Sequence, residues 1–210
     1  MAADPCAEAA RGSGRRRRIV VGITGATGAL YGIRLLQALA AHPGVETHVV
    51  MSRWARTTIS LETPWTAAEA AALADVSHAA DDLGATLASG SFRTDGMAIT
   101  PCSMKTLAAI RTGYSEGLIA RAADVTLKER RRLVLVPRET PLNQIHLENL
   151  LTLTRMGAVV MPPVPAFYHR PHTIDDLVDH LVARILDQFG LDTPAPRWEG
   201  MRAARLRATS

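Results

Sequence analysis

Three short stretches of this 210-residue chain carry residue types and spacings suited to holding and cleaving a phosphorylated ligand. The first is Ile19–Gly32 (IVVGITGATGALYG), with Gly22, Gly25, Gly28 and Gly32 around Thr24 and Thr27. Glycines let a backbone close on a phosphate, and the free N–H groups of a helix start point at it. The helix dipole adds about 0.3–1 kcal/mol. Thr24 and Thr27 add hydroxyl donors. The spacing is not GxGxxG, so the dinucleotide fingerprint fails as written. The second stretch, Pro101-Cys102-Ser103-Met104-Lys105-Thr106, repeats the theme of strand end, hydroxyls and helix start. The third, Pro137-Arg138-Glu139-Thr140-Pro141, sets an Arg–Glu pair where an apolar run ends. Ligands of open α/β sheets bind at that edge.

The elements that must position these residues alternate. Ile19–Val21 reads as a buried strand, followed by an apolar-periodic helix on Leu30, Ile33, Leu36 and Leu39. Val45–Met51 is a second strand ended by Ser52, where a nicotinamide site would want an acid rather than Ser52 and Arg53. Trp54–Leu61 reads as helical, and Thr66-Ala67-Ala68-Glu69 as a capping box opening a helix through Leu73. Asp75–Leu83 reads as an acidic surface linker, its His78, Asp81 and Asp82 solvated. Leu87–Ser91 is small and flexible, a loop or a mobile flap over a ligand. Gly96–Thr100 is a third strand with a helix through Ile110, and Leu133–Val136 a fourth. Gln144–Met156 is an amphipathic helix stopped by Gly157, and Ala158–Met161 a fifth strand. Pro162, Pro163 and Pro165 stiffen the approach to Phe167–Arg170. Thr173 caps a last helix to Phe189, stopped by Gly190. The pattern is a single-domain, doubly wound parallel sheet, Rossmann-like or flavodoxin-like.

Composition narrows the function. Five arginines (Arg11 and Arg15–Arg18) against Asp4 and Glu8 supply +3 of the net charge of +4, leaving little for a nucleic-acid surface. Residues 1–17 read as a disordered basic tail without a secretory signal, 18–201 as the folded domain and 202–210 as a C-terminal tail. No run is long and apolar enough to span a membrane. The two cysteines, Cys6 and Cys102, form no disulfide framework and fit a reducing cytoplasm. Cys102 reads as a small buried hydrophobe without an activating His or Asp. Arg130–Arg132 reads as a solvated or subunit-facing patch. Asp175-Asp176-Leu177-Val178-Asp179 matches DDxxD, a magnesium–diphosphate motif. Its acids sit in the first turns of a capped helix, where the dipole favours them anyway. His169 and His172 lack a third ligand for zinc.

In order and spacing, GITGATGALYG, VVMSR, SGSF, TPCSMKTL, RAADVTLKERR, LVLVPRETPL and MPPVPAFYHRP resemble the UbiX-type flavin prenyltransferases. The similarity runs from about Arg18 to Trp198; Arg121–Glu139 and PAFYHRP are its specific parts. It implies transfer of a dimethylallyl group from dimethylallyl monophosphate to N5 and C6 of reduced FMN. The product, prenylated FMN, serves UbiD-type decarboxylases in ubiquinone synthesis or aromatic-acid metabolism. It further implies no metal, a homo-oligomer (a dodecamer) and sites at subunit interfaces.

By position, the resemblance gives Gly25, Ala26 and Thr27 to the FMN phosphate region, with Ser52, Ser103, Met104, Lys105, Thr106 and Arg138 completing the flavin site. It gives Arg121 and Lys128 to the substrate phosphate, Tyr168 and Arg184 to dimethylallyl phosphate, and Trp198 to the pocket wall. Glu139 becomes the acid/base, acting through Thr27, with Lys128 beside it. Thr27 replaces the serine of many relatives, keeping the hydroxyl but restricting its rotamer. A short-chain reductase would need Tyr-x-x-x-Lys, which none of Tyr31, Tyr114 and Tyr168 provides. A flavin-dependent cysteine decarboxylase would need a PxMN-type segment where Pro162–Pro165 stands. A non-catalytic FMN carrier remains as the alternative; mere carriage would not require Lys128, Glu139, Tyr168 and Arg184.

Overall fold

The computed structural model describes residues 15–198, 200 and 201. Cys6, Asp4, Glu8, Arg11 and the expected tail at 202–210 lie outside them. Six parallel strands form one sheet in the order β3-β2-β1-β4-β5-β6. They are β1 Arg17–Ile23, β2 Val45–Met51, β3 Val76–His78, β4 Gly96–Cys102, β5 Arg132–Pro137 and β6 Val159–Val160. The helices are α1 Ala29–Ala40, α2 Arg53–Glu62, α3 Ala67–Ala71, α4 Met104–Thr112, α5 Leu118–Lys128, α6 Gln144–Arg155 and α7 Ile174–Asp187. Helices cover both faces, so strands read as continuous β-branched runs rather than alternating ones. Within β1, Ile19, Val21 and Ile23 pack with α1, α2 and α7, while Val20 packs with α4, α5 and α6. That is the two-residue period of a strand.

Strand order reverses between β1 and β4, and a buried threonine joins them there. Thr24 is 1% exposed. Its N–H and its hydroxyl both donate to the Pro101 carbonyl, at 3.2 and 2.8 Å, and its Oγ1 accepts from the Ser103 N–H at 2.8 Å. The ladder continues to either side: Ser52 N–H donates to Ile23 O at 3.0 Å, and Arg138 N–H to Cys102 O at 3.2 Å. The Thr24 hydroxyl, expected to serve a ligand, is therefore spent on the sheet. Gly32 brings α1 against β4, since a Cβ there would lie 2.6 Å from the Thr100 carbonyl oxygen.

Four expectations are corrected. Asp75–Leu83 is not a free linker: Val76–His78 pairs with β2, and Asp75 accepts from Thr47 N–H at 2.8 Å and pairs with Arg16. A three-residue edge strand has too few residues for a periodic signal. The arginines at 15–17 belong to the body, because β1 begins at Arg17 and Arg15 pairs with Asp95 at 2.9 Å. The Thr86–Ser91 region is fastened, with Arg121 Nε donating to Ala88 O at 3.1 Å and Arg131 to Gly90 O at 2.7 Å. Arg131 thereby leaves the solvated basic run, its side chain 14% exposed.

Replacing Thr24 with Val keeps the shape and leaves the half-buried Ser103 N–H without its acceptor. The expected loss is about 1–3 kcal/mol of stability, read as a lower denaturation midpoint at unchanged slope.

Candidate active site

The strand-end ladder brings one group of residues together. Gly25–Thr27 follow β1, Ser52 follows β2, Ser103–Thr106 follow β4 and Arg138–Glu139 follow β5, so four adjacent strands deliver them to one edge. Gly25 is required by close approach, because a Cβ there would lie 2.3 Å from the Trp54 Cβ. Gly28, at φ +97°, opens α1 without a side-chain cap. Ser52 caps α2 by accepting from Ala55 N–H at 3.1 Å, and Ser103 caps α4 by accepting from Thr106 N–H at 3.3 Å. A helix start carries four orphan donors, so each cap leaves others for an anion. Thr27, Lys105, Arg138 and Glu139 are exposed, and the Glu139 carboxylate accepts from the Thr140 N–H at 3.1 Å.

Three residues the sequence reading missed stand at this edge. Glu62, the last residue of α2, accepts from the N–H groups of Gly28 and Ala29 at 2.8 and 3.1 Å, supplying the carboxylate that α1 lacks. The available signal was an acid at a helix C-terminus, where the dipole disfavours it. Trp54 is 67% exposed although it packs on the glycine loop. Burial holds the pKa of the Tyr31 phenol above its ordinary value, opposed by the charge of Arg138, which places those two groups within electrostatic reach.

Other expected site residues stand elsewhere in the chain. Lys128 ends α5 and pairs with Glu129, just before β5 begins, at the opposite edge of the sheet from Thr27 and Arg138. Arg121, on the same helix, pairs with Asp124 at 2.8 Å. Tyr168, Arg184 and Trp198 form a third group around α7. Tyr168 Oη lies 2.7 Å from His180 Nε2, with the Trp198 ring 5.6 Å away edge-on, and Arg184 pairs with Asp187 at 2.7 Å. Burial, then the charges of His169 and Arg184, lower the His180 pKa against the pull of Asp187. A cavity of about 1010 Å³ lies between α1, α7 and the Asp192–Pro196 segment, lined by none of the strand-end residues.

The DDxxD acids have structural partners. Asp175 and Asp179 pair with Arg34 at 2.7 and 3.4 Å, and Asp176 accepts from the N–H groups of His172 and Thr173. Among the described residues, no group of three or more His, Cys, Asp or Glu is arranged to hold a metal ion. No helix among them is long and apolar enough to cross a membrane. Burial pushes the Cys102 thiol up to about 12, so it is no nucleophile at neutral pH.

A doubly wound sheet with hydroxyl-capped helix starts along one edge defines a nucleotide-binding α/β protein of the flavoprotein class, and the family profile described as Flavoprotein matches residues 8–186. The chain is 70% identical over 194 residues to the "Probable UbiX-like flavin prenyltransferase" of Streptomyces sp. (strain D7), covering 92% of this chain and 97% of that one. A dodecameric FMN-dependent UbiX-like decarboxylase from Escherichia coli O157:H7 superposes with TM-score 0.86 at 65% identity, over 87% of this chain and 100% of that one. AnUbiX (PadA1), solved in complex with FMN and dimethylallyl pyrophosphate, superposes with TM-score 0.87 at 58% identity, over 89% and 100%. The chain belongs to the UbiX-like flavin prenyltransferase family and is a prenyltransferase.

In a Cys6→Ser background, iodoacetamide at about pH 8 is expected to leave Cys102 unmodified until denaturant is added. Mass spectrometry of the native and unfolded protein reads the difference.

Proposed function

We propose that this chain joins a dimethylallyl group, taken from dimethylallyl monophosphate, to N5 and C6 of reduced FMN, and passes the prenylated FMN to a UbiD-type decarboxylase. The observation that carries this reading is the strand-end row Ser52, Gly25–Thr27, Ser103–Thr106 and Arg138–Glu139. A relative 58% identical, holding FMN and dimethylallyl pyrophosphate, supports it. The row suits FMN: a glycine that tolerates no Cβ, two helix starts with unclaimed donors, and the cation of Arg138. When bound, reduced FMN supplies the nucleophilic ring positions.

The residues of this chain do the remaining work. Gly25, Ala26, Thr27, Ser52, Ser103, Met104, Lys105, Thr106 and Arg138 bind and orient the flavin. Breaking the allylic C–O bond sends its electron pair to a phosphate that is already mostly a dianion at neutral pH. Arg121, Lys128 and Arg184 offset that charge, Tyr168 donates a hydrogen bond to it, and Trp198 walls the pocket. Glu139, acting through the Thr27 hydroxyl, moves the proton. Glu62 fixes the first turn that carries Thr27.

Lys128 stands at the opposite edge of the sheet from its own chain's strand-end row, so a site holding all these groups draws it from a neighbouring subunit. The assembly we infer is a dodecamer, supported by the dodecameric relative. We place the protein in the cytoplasm, consistent with the unpaired, buried Cys102.

The test is anaerobic incubation with reduced FMN and dimethylallyl monophosphate or pyrophosphate, followed by mass spectrometry of the released flavin. Gain of one five-carbon unit with the monophosphate, lost in Glu139→Gln while FMN remains bound, is the expected result. Bound but unmodified FMN with both donors would favour the carrier reading instead.

A second measurement reads the shared site. Glu139→Gln and Lys128→Ala, each inactive alone, should recover about a quarter of wild-type activity when co-assembled in equal amounts, as random pairing in a closed oligomer gives. No recovery would place both residues in one subunit's site.

A further inference from the structure

At the β2/β3 edge lies a part-buried polar chain that the proposed reaction does not use. His48, 3% exposed, sits with Nε2 2.9 Å from Glu46 Oε1 and Nδ1 3.0 Å from His78 Nε2. The two imidazoles stack with centroids 5.3 Å apart. Arg18 Nε donates to the same Glu46 oxygen at 3.0 Å, and its guanidinium lies 4.5 Å over the Phe92 ring. Phe92 completes the circle, meeting His48 edge-on at 5.4 Å. Phe92 in turn anchors the Ser89–Ser91 turn: its N–H donates to Ser89 O at 3.3 Å, and Arg131 holds its carbonyl. Gly90 of that turn lies directly on the Lys128–Glu129 pair, since a Cβ there would come within 2.6 Å of Lys128 Nζ.

We propose that Glu46, His48 and His78 form a latch that admits a single hydrogen between the imidazoles and, through Phe92, positions the Ser89–Ser91 turn against Lys128. Glu46 accepts, so His48 carries a hydrogen on Nε2. The 3.0 Å contact between His48 Nδ1 and His78 Nε2 then has room for one hydrogen. The neutral pair satisfies this with His78 donating; the singly protonated pair satisfies it with either ring as donor. A second proton puts a hydrogen on both facing nitrogens and two cations in stacked rings, and the bond between β2 and β3 is lost.

The surroundings agree in sign. Burial first, then the charge of His48, holds His78 below its ordinary 6.5, with Asp82 opposing. Partial burial raises Glu46, but the hydrogen bonds from His48 and Arg18 outweigh it and keep the carboxylate ionised. Arg121 of α5, which holds the Ala88 carbonyl, is already paired with Asp124. A histidine whose folded pKa is depressed stabilises the fold fully above 6.5, and that stabilisation is lost as pH falls below it.

Hydrogen exchange of the purified full-length protein without ligand tests this, and needs no turnover, so it stands or falls separately from the prenyltransferase reading. After correction for intrinsic exchange, protection over residues 86–92 should fall at least about tenfold between about pH 8 and pH 5. His78→Gln keeps a donor facing His48 Nδ1 but cannot titrate, so its protection should stay level. Wild-type protection that does not change with pH, or a His78→Gln protein that loses it as the wild type does, would overturn the proposal.

Discussion

The fold turns on a single buried side chain at the place where strand order reverses. Parallel strands lose their ladder partners as they reach the C-terminal edge, and β1 and β4 diverge there into different helices. Thr24 bridges them with three hydrogen bonds, binding both Pro101 and Ser103. The loop beyond it is then confined between α2, which presses on Gly25, and the start of α1, which Glu62 holds. A ligand at this edge meets a cradle already built, so little ordering entropy opposes its binding.

The same topology separates the chemistry. A parallel connection must return the chain to the N-terminal edge, so a residue at the end of a connecting helix is carried away from the strand ends. The 11 residues of α5 span about 16 Å and set Lys128 at the far edge, against Glu129 and Gly90. Tyr168 and Arg184 belong to a third location around α7. Subunit assembly resolves the separation, because a symmetric oligomer can set one chain's N-terminal edge against another's C-terminal edge. In the function we propose, oligomerisation is part of the active site rather than an addition to it.

Much was legible in the sequence. β-branched runs, capping boxes and Gly stops marked β1, β2, β4 and β5 and the helices α1, α2, α4, α6 and α7, because those signals are local; α5 went unmarked. The row Gly25–Thr27, Ser52, Ser103–Thr106 and Arg138 followed from it, since each member lies at a strand end. Glu62, Trp54 and the β3 strand escaped because their roles are made by contacts 28 or more residues away in sequence. The same holds for Thr24: its hydroxyl looks like a ligand donor until Pro101 and Ser103 are beside it.

By itself the sequence determined most of the strands and helices and what family pattern they spell, since these rest on local propensity and periodicity. Only the tertiary structure decided how hydroxyls and charges were divided between ligand and fold. It gave Thr24 and Asp75 to the sheet, Arg131 to the Gly90 turn and the DDxxD acids to Arg34. It also decided that Lys128 and Glu139 stand at opposite edges. A polar side chain can serve several partners, and only the packing of distant strands and helices fixes which one it meets.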